Sequence, residues 1–348
     1  MKTTFVSTLS LADTARSQMM RQTALVDRLQ VELSSGRKAD VGLDLGSRTG
    51  EAVTLRAEFS FLNAISDTNA LTASRLDVSQ AALGDMLANA QDFLATLIAV
   101  RDSDGSAALA RSEAIGGLDL LTSRLNTQLN GSYLFAGLNS DVAPVADYSD
   151  PAQPNKIAAD AAFLGAFGFD QTNAGVSGIS AAAMQTYLDG PFAALFADPA
   201  WGTTWSSATD ETTVSRISTS ETLNSSVSAN EDPFRELAQV YTMMSDLGNT
   251  ALNKETQKVV VDKAIALLGS AIAGVVSEMG SLGTAQERVT LASERLSIQT
   301  DILNERINAL ELVNLEETSV RLNTALTQLE TTYAISARIQ QLSILNYI

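Results

Sequence analysis

A seven-residue ladder running for about fifty residues is the feature that most restricts this chain. Leu55, Leu62, Asn69, Leu76, Leu83, Ala90 and Leu97 form one rail, and Glu58, Ile65, Thr72, Ser79, Met86, Phe93 and Val100 form its companion. Such spacing puts one apolar stripe on one helix face. A helix from about Glu51 to Val100 makes a rod of roughly 75 Å at 1.5 Å per residue. A rod of that length belongs to a bundle or coiled coil. Asn69, Thr72 and Ser79 interrupt the stripe, where polar residues set register at a cost in stability.

Both ends of the chain read as helices of the same kind. Phe5, Thr8, Ala12, Ala15, Met19, Gln22, Val26, Leu29 and Leu33 keep strict 3,4 spacing. Seven of the nine are apolar, where a 45% hydrophobic chain supplies about four by chance. The stripe stops at LSSGRK. Gly36 suits the left-handed position after a helix, and Arg37 and Lys38 suit its negative end. At the other terminus Leu315, Leu322, Leu326, Leu329 and Tyr333 lead into TTYAISARIQQLSILNYI. There Ile335, Ile339, Leu342, Ile344, Leu345 and Ile348 spread round the whole wheel, with Arg338 as the one charge. A helix apolar on every side must be buried on every side.

Between the ends, a third helix is expected from about Ser106 to Leu129, followed by the turn signal Asn130-Gly131 and a short strand or hairpin. Composition then changes over 139–230, which holds five of the six prolines and both tryptophans, Trp201 and Trp205. Helical periodicity fades, and a small β-rich insert is expected. Helices resume at Asp232-Pro233 and run to about Leu247. Another starts near Lys254, is loosened by the glycines of 273–284, and gives way to a further helix from Thr284 through Leu296, Leu303 and Leu310. The expected fold is mainly α: a long antiparallel bundle or coiled coil of N- and C-terminal segments with a β-rich insert in mid-chain. The expected parts are an assembly helix at 1–45 pairing with 308–348, a rod in two halves at 46–138 and 231–307, and the insert at 139–230.

Composition narrows the chemistry. A net charge of −17 repels nucleic-acid phosphates and anionic membrane surfaces alike. The chain has no Cys and no His, so it lacks thiolate nucleophiles, the usual general base and the commonest metal ligand. Asp102, Asp104, Ser106 and Glu113 fall at calcium-loop positions, but Ala107 stands where that loop needs glycine, and a helix-capping turn explains them better. Glu316-Glu317 reads as a solvated helix face, and GAFGF at 165–169 lacks the spacing of a phosphate loop. Asn130-Gly131-Ser132 and Asn224-Ser225-Ser226 are formal glycosylation sequons, too short a pattern to weigh alone. The expectation is a non-catalytic protein with no cofactor and no metal. MKTTFVSTLSLADTARSQMM is neither a cleaved signal nor an anchor, and the C-terminal run, with Arg338, Gln340 and Gln341, is not a membrane span.

The terminal stripes therefore need another destination. Burying one Leu or Ile is worth about 1.5–3 kcal/mol, and a tail exposing several of them invites aggregation. Self-assembly is expected, through Phe5, Ala12, Met19, Val26, Leu29 and Leu33 at one end. At the other it would use Leu315, Leu322, Leu326, Leu329, Tyr333, Ile335, Ile339, Leu342, Leu345 and Ile348.

Three segments carry a resemblance. LQVELSSGRKAD at 29–40 resembles the end of the first helix in the flagellin superfamily. GSYLFAG at 131–137 and IQQLSILNYI at 339–348 are similar to the hook–filament junction family (third hook-associated proteins) within it. The likeness covers about 1–138 and 231–348. It departs at VGLDLGSRTG, where the family has a Pro-Ser-Asp-Asp-Pro-like loop. The resemblance implies a structural adaptor of the bacterial flagellum, exported through the flagellar channel without a signal peptide and aided by a cytosolic chaperone that binds the C-terminal region. It implies a ring of copies between the first hook-associated protein on the hook side and flagellin on the filament side, with the terminal helices as an inner coiled-coil layer. A filament flagellin and, less closely, a cytoplasmic helical scaffold stand as alternatives.

Overall fold

The structure is a computed structural model. It describes residues 8–101 and 107–342, with side chains from 13 to 101 and from 107 to 338. Its long helices are α1 (Thr8–Ser35), α3 (Thr49–Val100), α4 (Ala107–Leu125), α7 (Asp232–Asp246), α8 (Lys254–Glu311) and α9 (Leu315–Leu342). Shorter ones are α2 (Val41–Leu45), α5 (Pro154–Phe167) and α6 (Ala181–Tyr187). Strand among the described residues is limited to two hairpins, β1 (Gln128–Leu129) with β2 (Ser132–Tyr133) and β3 (Val214–Arg216) with β4 (Thr222–Asn224). The fold is thus mainly α, with long helices packed on one another. Met1–Asn63 with Ser297–Ile348 form one compact unit, and Ala64–Leu296 the other.

In the first unit α1 and α9 run antiparallel. Helix α1 stops at Gly36, whose φ of 68° is left-handed and whose N–H reaches the Glu32 carbonyl at 2.9 Å. The chain then pairs with the end of α8 and the link to α9. The Lys38 N–H donates to the Glu311 carbonyl at 2.9 Å, and the Val313 N–H to that of Gly36 at 3.1 Å. Lys38 was expected at the end of α1, yet its ammonium donates to the Leu310 carbonyl at 2.7 Å, serving the negative end of α8. VGLDLGSRTG, expected as a loop, forms α2 and a 3-10 turn at Gly46–Arg48. Asp40 makes the helix possible by accepting from the Leu43 N–H at 2.9 Å, an N-cap.

The second unit holds the main core. Leu76, Leu83, Met86, Phe93 and Leu97 of α3 meet Leu118, Leu121 and Leu125 of α4, Leu237, Val240 and Tyr241 of α7, and Val261, Leu268 and Val275 of α8. Helix α8 is continuous through 273–284, where a break was expected. Each glycine costs about 1 kcal/mol against alanine in a helix. At Gly274 packing offsets that cost, because an added Cβ would come within 2.8 Å of Pro233 Cβ on α7. By length and composition α8 also contains a window apolar enough to cross a membrane. Its Val260, Val261, Ala264, Leu268, Ala271 and Val275 are each 1% exposed or less, so one face of the helix packs into the core.

Two further expectations change in detail. Leu129, expected in the third helix, lies in β1, because the Asn130-Gly131 turn (φ 53° and 81°) pairs Leu129 with Ser132. In 139–230 the strands are confined to the β3–β4 hairpin, and the alanine-rich runs at 157–167 and 181–187 turn helical. Trp201, Trp205, Phe163 and Phe192 from this segment are buried in the same core as the long helices, with the two tryptophan rings stacked at 5.6 Å.

Candidate assembly interface

The α1–α9 pair is where the predicted interface residues gather. Its seam is thin: Val26 and Leu29 from α1 and Ala325 from α9 are buried, with Leu322 and Leu329 packed half-buried against them. Gln22 sits in the same seam, and its side-chain oxygen accepts from the Thr332 hydroxyl at 2.9 Å. This polar contact fixes one register between two otherwise slippery stripes. At the lower end the seam passes to Glu32 rather than Leu33, since a helix of 3.6 residues per turn drifts off a 3.5 repeat. The Glu32 carboxylate accepts from Arg28 Nε and from the Ala39 N–H, both at 3.4 Å.

The remaining predicted residues are left uncovered by one chain. Met19 is half-buried, and Leu33, Leu315, Leu326, Tyr333 and Ile335 are exposed. Met20 (61% exposed), Leu25, Val31 and Val320 (65%) join them. The spacing rule missed these four because they lie off the 3,4 stripe. Phe5, Leu345 and Ile348 fall outside the described residues, as do the side chains of Ala12, Ile339 and Leu342. Asp102, Asp104 and Ser106, expected in a helix-capping turn, fall outside them too.

At the base of the pair, Glu311 has no exposed side-chain surface. One of its oxygens accepts from Arg56 at 2.6 Å and from Arg37 at 3.5 Å. The hydrogen bond to Glu311 raises the Arg56 pKa further above its ordinary value. No local pattern announces this cluster, because Glu311 lies more than 250 positions from either arginine.

The GSYLFAG segment is internal. Leu134, Phe135 and Ala136 are buried. The Leu134 N–H donates to Thr127, the Phe135 carbonyl accepts from Ala229 at 2.8 Å, and the Ala136 carbonyl from Thr209 at 3.2 Å. Gly137, at φ +63°, lies against Thr209 and Glu211, where no Cβ fits. The motif therefore staples the chain leaving α4 to the chain that returns to α7.

A polar cluster in the second unit joins Tyr148, Lys156, Asp160 and Asp246. The Tyr148 hydroxyl donates to Asp246 at 2.7 Å, and burial with that carboxylate pushes its pKa upward, so it stays a neutral donor. Lys156 bridges Asp160 and Asp246. Among the described residues no three Asp or Glu side chains are grouped to hold a metal.

The comparisons agree with this geometry. Residues 6–140 match the bacterial flagellin N-terminal helical region, and residues 265–348 match the C-terminal helical region. No curated protein matches the chain. A solved structure described as a candidate flagellar hook-associated protein from Vibrio parahaemolyticus aligns at 11% identity with a TM-score of 0.52, over 76% of this chain and 97% of that one. At that identity the likeness is one of fold. Matched at both its terminal helical regions, which together make up most of its length, the chain belongs to the flagellin superfamily and is a structural subunit of the bacterial flagellum.

Proposed function

We propose that this subunit is the adaptor at the junction of hook and filament, non-catalytic and assembled outside the cell. One observation carries the self-assembly: within a single chain the α1–α9 pair buries only a narrow seam and leaves Met20, Leu25, Val31, Leu33, Leu326, Tyr333 and Ile335 in water. Large apolar residues at that density need neighbours. The neighbours would be further copies in a ring, the first hook-associated protein on the hook side and flagellin on the filament side. The C-terminal region would be held by a cytosolic chaperone before export. YLFAG and the ending LSILNYI support the junction position over the filament. The flagellin terminal regions it matches keep a filament subunit as the second reading.

Electron microscopy of a deletion strain, with an assay of flagellin in the medium, separates the two. Bare hooks and spilled flagellin are expected for the junction role. Normal filaments would overturn it. Copy number is a second discriminator: a filament subunit is the bulk of the flagellum, whereas a junction subunit is a minor component.

A further inference from the structure

Glycine inside a helix lowers stability, so each one asks for a reason in its surroundings. Two in the second unit have one. A Cβ on Gly117 would strike the Tyr241 ring, and one on Gly274 would strike Pro233 at 2.8 Å. Three others have none. A Cβ on Gly84 of α3 or on Gly280 of α8 meets nothing within 4 Å, and one on Gly283 meets only Gln80 Nε2, at an ordinary 3.7 Å. These three lie at one height. Gln80, one turn before Gly84, donates its amide to the Met279 carbonyl at 2.9 Å. Gln286, just past Gly283, donates to Asp77 at 2.7 Å. Residues 77–84 of α3 therefore face 279–286 of α8.

The same level gathers the features that bend helices. Kinks form at glycine–serine pairs and where a side chain enters the helix hydrogen-bond ladder. Gly280-Ser281 is such a pair, and Gln80 reaches the Met279 carbonyl. The Thr284 hydroxyl donates to the Gly280 carbonyl at 3.1 Å, a back-bond of the kind that bends helices. On α3, Ser79 is a buried polar step, and Gln80 Oε1 is buried without a partner among the described residues. The core still runs unbroken through this level, with Leu83 at 0% and Leu282 at 3% exposure. Glycine in both helices at one height, where packing does not require it, is a stability cost with no packing gain. Such departures from local consistency mark places kept for function.

We infer that α3 and α8 share a bending joint at Gly84 and 280–284. It lets the two helices change direction together while Leu83 and Leu282 keep the seam shut. The joint lies wholly within the second unit and is independent of the adaptor reading.

Hydrogen exchange on the full-length chain, with and without Gly84→Ala, Gly280→Ala and Gly283→Ala together, tests it. In the parent, amides of 280–287 are expected to exchange about tenfold faster than those of 271–275 and 289–296. The three alanines should remove that difference. The chain has no cysteine, so Ala266→Cys with Ile298→Cys, both at exposed positions, brackets the joint with two spin labels. Their distance distribution should be broad in the parent and narrow with the alanines. Even exchange along α8 in the parent, or a width that the alanines leave unchanged, would overturn the joint. Should circular dichroism show the triple variant misfolded, Gly280→Ala alone, at an exposed glycine in open space, carries the same comparison.

Discussion

The Arg56 guanidinium donates to the carboxylate of Glu311 at 2.6 Å, joining a half-exposed residue of α3 to a fully buried one that ends α8. Arg37, just after α1, reaches the same oxygen at 3.5 Å. One buried acid thus holds three segments together. Arg56→Ala is expected to destabilise the first unit by about 1.5–3 kcal/mol, the range for a hydrogen bond to a charged group, with Arg37 as the remaining partner. Double-mutant cycles by urea denaturation check this. Coupling to Glu311→Gln should be larger for Arg56 than for Arg37, and equal couplings would contradict the geometry.

Two neighbouring glycines of α4 give opposite expectations. A Cβ on Gly117 would run into the Tyr241 ring, while one on Gly116 meets nothing within 4 Å. Gly117→Ala should cost about 1–3 kcal/mol through overpacking. Gly116→Ala should gain about 0.5–1 kcal/mol of helix stability. Thermal unfolding of the two variants decides it, since a shared sign would mean that α4 does not approach α7 this closely.

Asn69 is one point where the β3–β4 hairpin meets the long helices. Its amide donates to the Ile217 carbonyl at 3.0 Å and to the Ser293 hydroxyl at 3.2 Å. Asn69→Ala should therefore raise amide hydrogen exchange across 217–224 and cost about 1–3 kcal/mol. Unchanged exchange there would show that the hairpin is held by other contacts, such as Glu221 to Arg288 at 2.9 Å.

Stability should also depend on pH through Glu236 and Glu278. Burial raises both carboxyls above the ordinary range. The Ser270 hydroxyl opposes this at Glu236, and the Glu231 charge adds to it at Glu278. A carboxyl whose folded pKa is raised binds its proton more tightly in the folded state. Stability then falls as pH climbs from the ordinary carboxylate range through the raised values. Glu236→Gln with Glu278→Gln should flatten that fall and raise the urea midpoint at pH 7. A midpoint that drops would mean the two charges stabilise the fold.

Removing 335–348 should spare the second unit, whose core lies within Ala64–Leu296, and abolish assembly. Circular dichroism and sedimentation of the truncated chain report the two halves of this expectation. Filaments or rings built from it would refute the role given to the tail.

The long helices α3, α1 and α9 are legible in the residues because amphipathic period is a local property, repeated every few positions. Gly36 ending α1 and Asn130-Gly131 turning a hairpin are legible for the same reason: each needs only its own backbone angle. The apolar excess at both termini is likewise visible in the sequence alone. The continuity of α8 was not legible, since the local cost of its glycines is outweighed by a contact with Pro233 some forty positions earlier, as at Gly274. Nor was the purpose of the polar step at Asn69, which depends on Ile217 arriving from another part of the chain. Arg56 finding Glu311 belongs to the same class. Periodicity and turn chemistry are written in neighbouring residues. Which distant groups meet, and which apolar residues stay uncovered, is decided only when the helices pack.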